Sequence, residues 1–256
     1  MTGDTPELVT IPCRTDNYAF LLHDPATGHV ILVDAPEAAP IRAELDRRGW
    51  RLDEILVTHH HDDHVAAVAG LRKGARVIGA AADAHRLPPL DLAARPGETL
   101  ALGPFAVDVI DAPGHTLGHV AYHVPRAGAV FTGDSLMALG CGRLFEGTAA
   151  DMHGTLARIA ALPDGTLVCS GHEYTLGNAR FALTVDPGNR ALKARNERDR
   201  TLRDAGRPTV PSRLDEERAT NPFLRADDAA IRAVLGMEDA TGIEVLAELR
   251  ARKDRF

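Results

Sequence analysis

Cysteine is scarce: Cys13, Cys141 and Cys169 are the three in 256 residues. They are odd in number, far apart and without a CxxC pair, which excludes a disulfide framework and a cysteine zinc site and leaves them as reduced thiols. No apolar run reaches the roughly 20 residues that a membrane span needs. The first residues, Met1 to Glu7, are acidic and turn-rich and lack the basic and apolar regions of a signal peptide, so the cytoplasm is the expected location. Basic charge is in deficit, with 29 Lys and Arg against 36 Asp and Glu, a net charge of −7. Such a field repels nucleic acid, and an anionic partner must be met by a local basic cluster. Internal repeats and low-complexity tracts are also missing. What remains, 45% hydrophobic and 25% charged residues, fits a soluble globular chain built as one large domain or a large one with a small companion.

Against that plain background one stretch stands out. Ile55-Leu56-Val57 reads as a short buried strand and runs into Thr58-His59-His60-His61-Asp62-Asp63-His64, where four His and two Asp occupy six consecutive positions. Imidazole and ionised carboxylate are the usual ligands of divalent metals of intermediate hardness. His59 and His61, two apart, leave the same face of an extended segment and can grip one metal, with His60 pointing away. Asp63 and His64 lie further along, on a turn, available to a second metal. The plain alternative is a polar loop entering a helix with Asp62 or Asp63 as its N-cap.

Along the chain, strands are expected at Leu8 to Ile11, Tyr18 to Leu22, Val30 to Val33 and Val77-Ile78, and helices at Ile41 to Arg48, Val65 to Lys73 and Ala81 to Leu87. Four more strands follow at Thr99 to Leu102, Phe105 to Ile110, His119 to Val124 and Ala129 to Thr132. Metal-capable side chains recur after them: His115 and His119 in the turn Pro113 to His119, Asp134 after Phe131-Thr132-Gly133, and His172 after the strand Thr166 to Ser170 and Gly171. Ligands in α/β folds gather beyond the carboxyl ends of strands, and Gly lets the backbone approach closely. Met152 to Leu162 reads as a helix. Beyond residue 174 strand signals stop, and charged helical sequence follows, including Ala191 to Ala205 and Ile243 to Arg250; the run Lys193 to Arg203 reads as a solvated face. The domain boundary is placed there, giving 1–174 and 175–256.

With these motifs laid out, the chain resembles the metallo-β-lactamase superfamily, whose signature is HxHxDH followed by a distant His, an Asp and a final His. Within it the sequence is similar to the glyoxalase II, or hydroxyacylglutathione hydrolase, family. The specific parts are Cys141-Gly142-Arg143-Leu144-Phe145-Glu146-Gly147-Thr148, Gly171-His172-Glu173-Tyr174-Thr175, Asn221-Pro222-Phe223 and the terminal Arg250 to Phe256. The resemblance implies an αββα sandwich with a smaller C-terminal helical domain for glutathione. It implies that His59, His61 and His115 bind a first metal, that Asp63, His64 and His172 bind a second, and that Asp134 bridges them. His60, His119 and Asp34 fall outside that ligand set. Zinc is the first choice of metal, with iron or manganese as alternatives. Arg143, Phe145, His172, Tyr174, Arg250 and Lys253 would meet the substrate; Phe145 keeps the aromatic character of its position without a hydroxyl.

The implied reaction is hydrolysis of S-D-lactoylglutathione to D-lactate and glutathione, the second step of methylglyoxal detoxification. Asp63 and Asp134 flank a hydroxide activated by the metals, which spares the site a Ser or Cys nucleophile. A substrate with two carboxylates needs cations, and Arg143, Arg250 and Lys253 are the candidates. The alternatives are a lactonase, a β-lactamase or a one-iron persulfide dioxygenase on the same fold, or a non-catalytic metal- or glutathione-binding protein. A monomer is the default, with neither nucleic acid nor membrane as partner.

Overall fold

The computed structural model describes residues 5–256; of the N-terminal stretch read above for a leader, residues 1–4 lie outside them. Two six-stranded sheets organise the chain. The first begins as an antiparallel meander, β1 (Glu7–Cys13), β2 (Asn17–His23) and β3 (Val30–Val33), and continues in parallel through β4 (Glu54–Leu56), β5 (Arg76–Ala80) and β6 (Leu92–Ala94). Parallel pairing needs a crossover, and α1 (Ala38–Arg48) supplies the one between β3 and β4. This helix ends where Gly49 adopts a left-handed conformation, φ 69°, letting the Trp50 N–H reach back to the Leu45 carbonyl.

The second sheet runs β14-β13-β10-β9-β8-β7, from β7 (Thr99–Leu102), β8 (Phe105–Asp111), β9 (Val120–Val124), β10 (Ala129–Gly133), β13 (Leu167–Ser170) and the two-residue β14 (Ser212–Arg213). A small hairpin, β11 (Leu136–Met137) with β12 (Gly140–Cys141), follows β10. Every residue of β2 is buried because both its faces are covered. Ala19 and Leu21 join Ile41 and Leu45 of α1 in one apolar core, while Phe20 points the other way and meets Phe131 of β10, ring centroids 5.7 Å apart.

Two compact units divide the chain. The first takes the chain up to Asp111 together with Gly118–Gly133 and Cys169–His172, and so holds nearly all of both sheets. The second comprises Ala112–Leu117, Asp134–Val168 and Glu173–Phe256. It contains α4 (Ala149–Ala160), α5 (Thr175–Val185), α6 (Arg190–Asp204), α7 (Leu214–Thr220), α8 (Ala229–Leu235) and α9 (Gly242–Arg255). No helix among the described residues is long and apolar enough to cross a membrane.

The structure corrects three expectations. The helix expected from Val65 is two short ones, α2 (Asp62–Val65) and α3 (Val68–Leu71), and the first starts inside the His cluster with His61 as its N-cap and Asp62 and Asp63 in its first turn. A brief 3-10 turn, Ala81–Asp83, replaces the helix Ala81 to Leu87. The charged run on α6 is only partly a solvated face: Arg195 and Asp199, one helical turn apart, are buried with Leu192.

Candidate metal centre

The candidate side chains sit just past strand ends. Asp34 follows β3, His59 to His64 follow β4, Asp134 follows β10 and His172 follows β13. At Gly133, φ is +47°, and a Cβ there would come within 2.5 Å of Thr58 Oγ1 and 2.8 Å of His119 Nε2, so only Gly lets β10 end against these side chains.

In the first unit, Asp63, His64 and His172 present ligand atoms within 4.8 Å of one another. His64 is fully buried, and its Nδ1 lies 2.8 Å from Asp34 Oδ2. His172 turns Nδ1 to Asp16 Oδ1 at 3.1 Å. Because a carboxylate only accepts, both Nδ1 atoms carry the proton, and the Nε2 lone pairs face Asp63 Oδ2, 3.7 Å from His64 and 3.3 Å from His172. His59 is fixed the same way: its Nδ1 donates to Thr58 Oγ1 at 3.1 Å, since that hydroxyl itself donates to Asp34 Oδ2 at 2.8 Å. His59 Nε2 is then 3.1 Å from His61 Nδ1.

The second unit repeats the pattern. His115 Nδ1 donates to the Arg143 carbonyl at 2.8 Å, so its Nε2 lone pair faces Asp134 Oδ2, 3.4 Å away. A lone pair opposite a carboxylate oxygen repels unless a cation lies between. Tetrahedral coordination at about 2.0 to 2.2 Å sets neighbouring ligand atoms roughly 3.3 to 3.6 Å apart, close to these spacings. The His and Asp residues therefore fit divalent metal binding.

Two histidines of the motif have other partners. His60 turns away to Asp83, Nδ1 to Oδ2 2.9 Å, and His119 stacks on His59 with centroids 4.7 Å apart. Asn17 and Asp16 were not singled out in the sequence. Asn17 Nδ2 donates to the Asp63 carbonyl and carboxylate at 3.1 and 3.0 Å, and Asp16 holds His172. Their only signal was a polar turn, Thr15-Asp16-Asn17, between two strands.

Of the expected substrate residues, Phe145 and Tyr174 are 61% and 41% exposed, and the Phe145 ring stands edge-on to His115 at 5.2 Å. The Arg143 side chain is exposed. Lys253 Nζ lies over the rings of Phe181 and Phe256 at 5.8 and 5.5 Å. Its proton affinity is lowered, by burial first and then by the positive charges of Arg250, Arg180 and Arg143. Arg250 differs from the others in being buried and in donating from Nη1 to the Cys141 carbonyl at 2.7 Å, while Asp254 pairs with both Arg250 and Arg143, at 2.8 and 3.7 Å.

Residues 15–172 match the family model described as metallo-beta-lactamase superfamily, and residues 173–256 match hydroxyacylglutathione hydrolase C-terminus. A hydroxyacylglutathione hydrolase of Ruegeria pomeroyi is 61% identical over 252 residues, 98% of this chain and 99% of that protein. Among solved structures, the BLEG-1 B3 metallo-beta-lactamase superposes with TM-score 0.67 over 85% of this chain and 99% of that one at 22% identity, a likeness of fold. TTHA1623 in a di-iron-bound form is 30% identical, TM-score 0.54, over 65% of this chain and 91% of that one.

Proposed function

The chain belongs to the hydroxyacylglutathione hydrolases of the metallo-β-lactamase superfamily, and from that membership we propose that it hydrolyses S-D-lactoylglutathione to D-lactate and glutathione. The observation that carries this reading is the basic cluster around Lys253. In a chain of net charge −7, burial first and then the charges of Arg250, Arg180 and Arg143 lower the proton affinity of Lys253, and such a gathering of cations suits an anionic ligand. A glutathione thioester carries two carboxylates. Arg143, Arg250 and Lys253 would hold them, with Phe145 and Tyr174 as apolar walls, residues 1–174 forming the catalytic domain and 175–256 the helical substrate domain.

His59, His61 and His115 are assigned to a first metal, Asp63, His64 and His172 to a second, and Asp134 to both. The pair is zinc in this proposal, with iron or manganese the alternatives; the di-iron form of TTHA1623 supports two ions. Bound divalent ions supply Lewis-acid polarisation of the thioester carbonyl and acidify water to a pKa near about 7. The protein's part is to hold tautomers through Asp34, Asp16, Thr58 and the Arg143 carbonyl and to anchor the glutathione arm. The buried, reduced thiols Cys13, Cys141 and Cys169 suit the cytoplasm.

The test is hydrolysis of S-D-lactoylglutathione before and after metal is stripped and restored, with elemental analysis of the same sample. Activity that falls and returns with about two metals per chain supports the reading. Bound metal with no hydrolysis of this thioester defeats it and turns attention to lactones and persulfides.

A further inference from the structure

Asn17 opens β2 and joins three pieces of the first unit. Its backbone pairs with Cys13 across the β1–β2 hairpin and forms an isolated bridge with His172, beside which the Tyr18 N–H donates to the Gly171 carbonyl at 2.8 Å. The start of β2 is thereby fixed to the chain leaving β13. From that anchored backbone the Asn17 side chain, in a residue only 4% exposed, reaches the first turn of α2. Its Nδ2 donates to the Asp63 carbonyl at 3.1 Å and to Asp63 Oδ2 at 3.0 Å. Both partners only accept, which assigns the amide nitrogen to this side, and its two N–H groups are spent on Asp63. His172 Nε2, 3.5 Å from the same nitrogen, is left with its lone pair.

We propose that Asn17 is a positioning residue for Asp63, and that through it Asn17 governs the metal position of Asp63, His64 and His172 while leaving that of His59, His61 and His115 unchanged. Asp63 needs such a hold. The side chains of His64 and His172 are 0% and 5% exposed and each turns Nδ1 to a carboxylate, whereas that of Asp63 is 33% exposed. A carboxylate on the first turn of a four-residue helix has rotamers open to water that packing does not close. The Asn17 amide grips the carbonyl and the carboxylate of Asp63 together, which fixes the direction of the side chain relative to its own backbone. Being neutral, the amide orients the carboxylate without cancelling its charge, as Lys or Arg would, so the charge stays available to a cation. Other groups place the first set: the Thr58 hydroxyl for His59 and the Arg143 carbonyl for His115.

This inference rests on the two-metal reading above, and its test has a readout besides activity. Metal-stripped wild type, Asn17→Ala and Asn17→Leu are titrated with zinc against a chromophoric chelator that resolves successive binding steps, and kcat and KM on S-D-lactoylglutathione are measured separately. Circular dichroism of the metal-free proteins confirms that each is folded. In Asn17→Ala one zinc step should weaken about 10- to 100-fold and the other stay within about twofold, with kcat falling and KM little changed. Asn17→Leu keeps the bulk and removes both donors, so it should lose the same step to a similar degree. Wild-type affinity at both steps would overturn the proposal, as would equal weakening of both, which marks a general structural role. So would a loss in Asn17→Ala that Asn17→Leu restores, because bulk and not the amide would then be what holds Asp63. If Asn17→Ala does not fold, Asn17→Leu decides alone. A wild type with a single zinc step removes the premise and the proposal with it. Two zinc steps in a wild type that leaves the thioester intact would defeat the functional reading and leave the zinc comparison standing.

Discussion

Asp34 Oδ2 and His64 Nδ1 lie 2.8 Å apart in the fully buried space behind the metal-binding motif, and the other oxygen of that carboxylate accepts the Thr58 N–H at 2.9 Å. Asp34 thereby sets the tautomers of two proposed ligands, His64 directly and His59 through the Thr58 hydroxyl. Its φ of 56° is one that Asn tolerates. In Asp34→Asn the amide oxygen can keep the Thr58 N–H, which turns the NH2 toward His64 Nδ1. Two donors then face each other, and His64 must move its proton to Nε2, where it blocks a metal. The expected loss in metal affinity and in activity is about 10- to 100-fold, with little change in melting temperature of the metal-free protein. Chelator competition measures it; an unchanged affinity would remove Asp34 from the support of His64.

How much of this was legible in the sequence follows from how local each signal is. His59 to His64 are contiguous, and Asp134 and His172 each follow an apolar strand and a glycine, so local pattern marked them as metal-capable, while their ligand roles came only from the resemblance. Asp16 and Asn17 reach His172 and Asp63 across sequence separations of 156 and 46 residues from an ordinary polar turn, and no local pattern announces that. Arg195 was hidden for a different reason. Charge reads as exposure, yet Arg195 is 2% exposed because Glu217 and Asp199 neutralise it at 2.5 and 3.3 Å. The terminal Arg250 to Arg255 could equally have been a frayed tail; α9 runs to Arg255 because its Thr241–Glu244 capping box starts it and Val245, Leu246 and Leu249 are buried.

That ion pair is itself testable. Glu217 accepts from Arg195, from the Leu139 N–H and from Asn221, so Glu217→Ala leaves a buried guanidinium and two further donors without their acceptor. The expected cost is about 3 to 5 kcal/mol, seen as a lower urea midpoint. Replacing both partners, as in Arg195→Met with Glu217→Leu, should recover only part of it, because the hairpin N–H at Leu139 stays unmet. A single-variant cost below about 1 kcal/mol would mean that the hairpin is held elsewhere.

The thiols give a pH dependence with a definite sign. Burial pushes Cys141 up from its ordinary 9.0 to about 11, against the lowering effect of Arg250, and burial with the charge of Glu37 pushes Cys13 up to about 12. Cys169 is raised by burial too. A raised folded pKa means that the folded state holds its proton longer than the unfolded chain. The resulting stability is complete below the unfolded thiol pKa of about 8.5 and is lost as pH rises toward the folded values. Melting temperature should therefore fall between about pH 9 and 11. At pH 8 a thiol with pKa about 11 is thiolate in roughly one molecule in a thousand. Iodoacetamide at that pH should leave the native protein unmodified and active while alkylating it in urea. Rapid native alkylation of Cys141 would contradict its burial.

Gly142 offers the sharpest steric test of the site. A Cβ there would overlap the Asp134 carbonyl oxygen and come within 3.0 Å of His115 Nδ1, two residues assigned to the first metal. Backbone cannot swing aside as a flexible side chain does, so Gly142→Ala must displace the Asp134 or Arg143 backbone. Displacements near 1 Å at a reacting centre cost about 10²-fold in rate. The variant should fall that far in kcat and also lose metal faster, because the Arg143 carbonyl that fixes His115 moves with it. Gly165→Ala is the matched control, since its Cβ meets nothing within 4 Å, and it should change stability by no more than about 0.5 kcal/mol. Gly142→Ala with wild-type kcat and metal retention would show that the hairpin backbone can shift without disturbing His115.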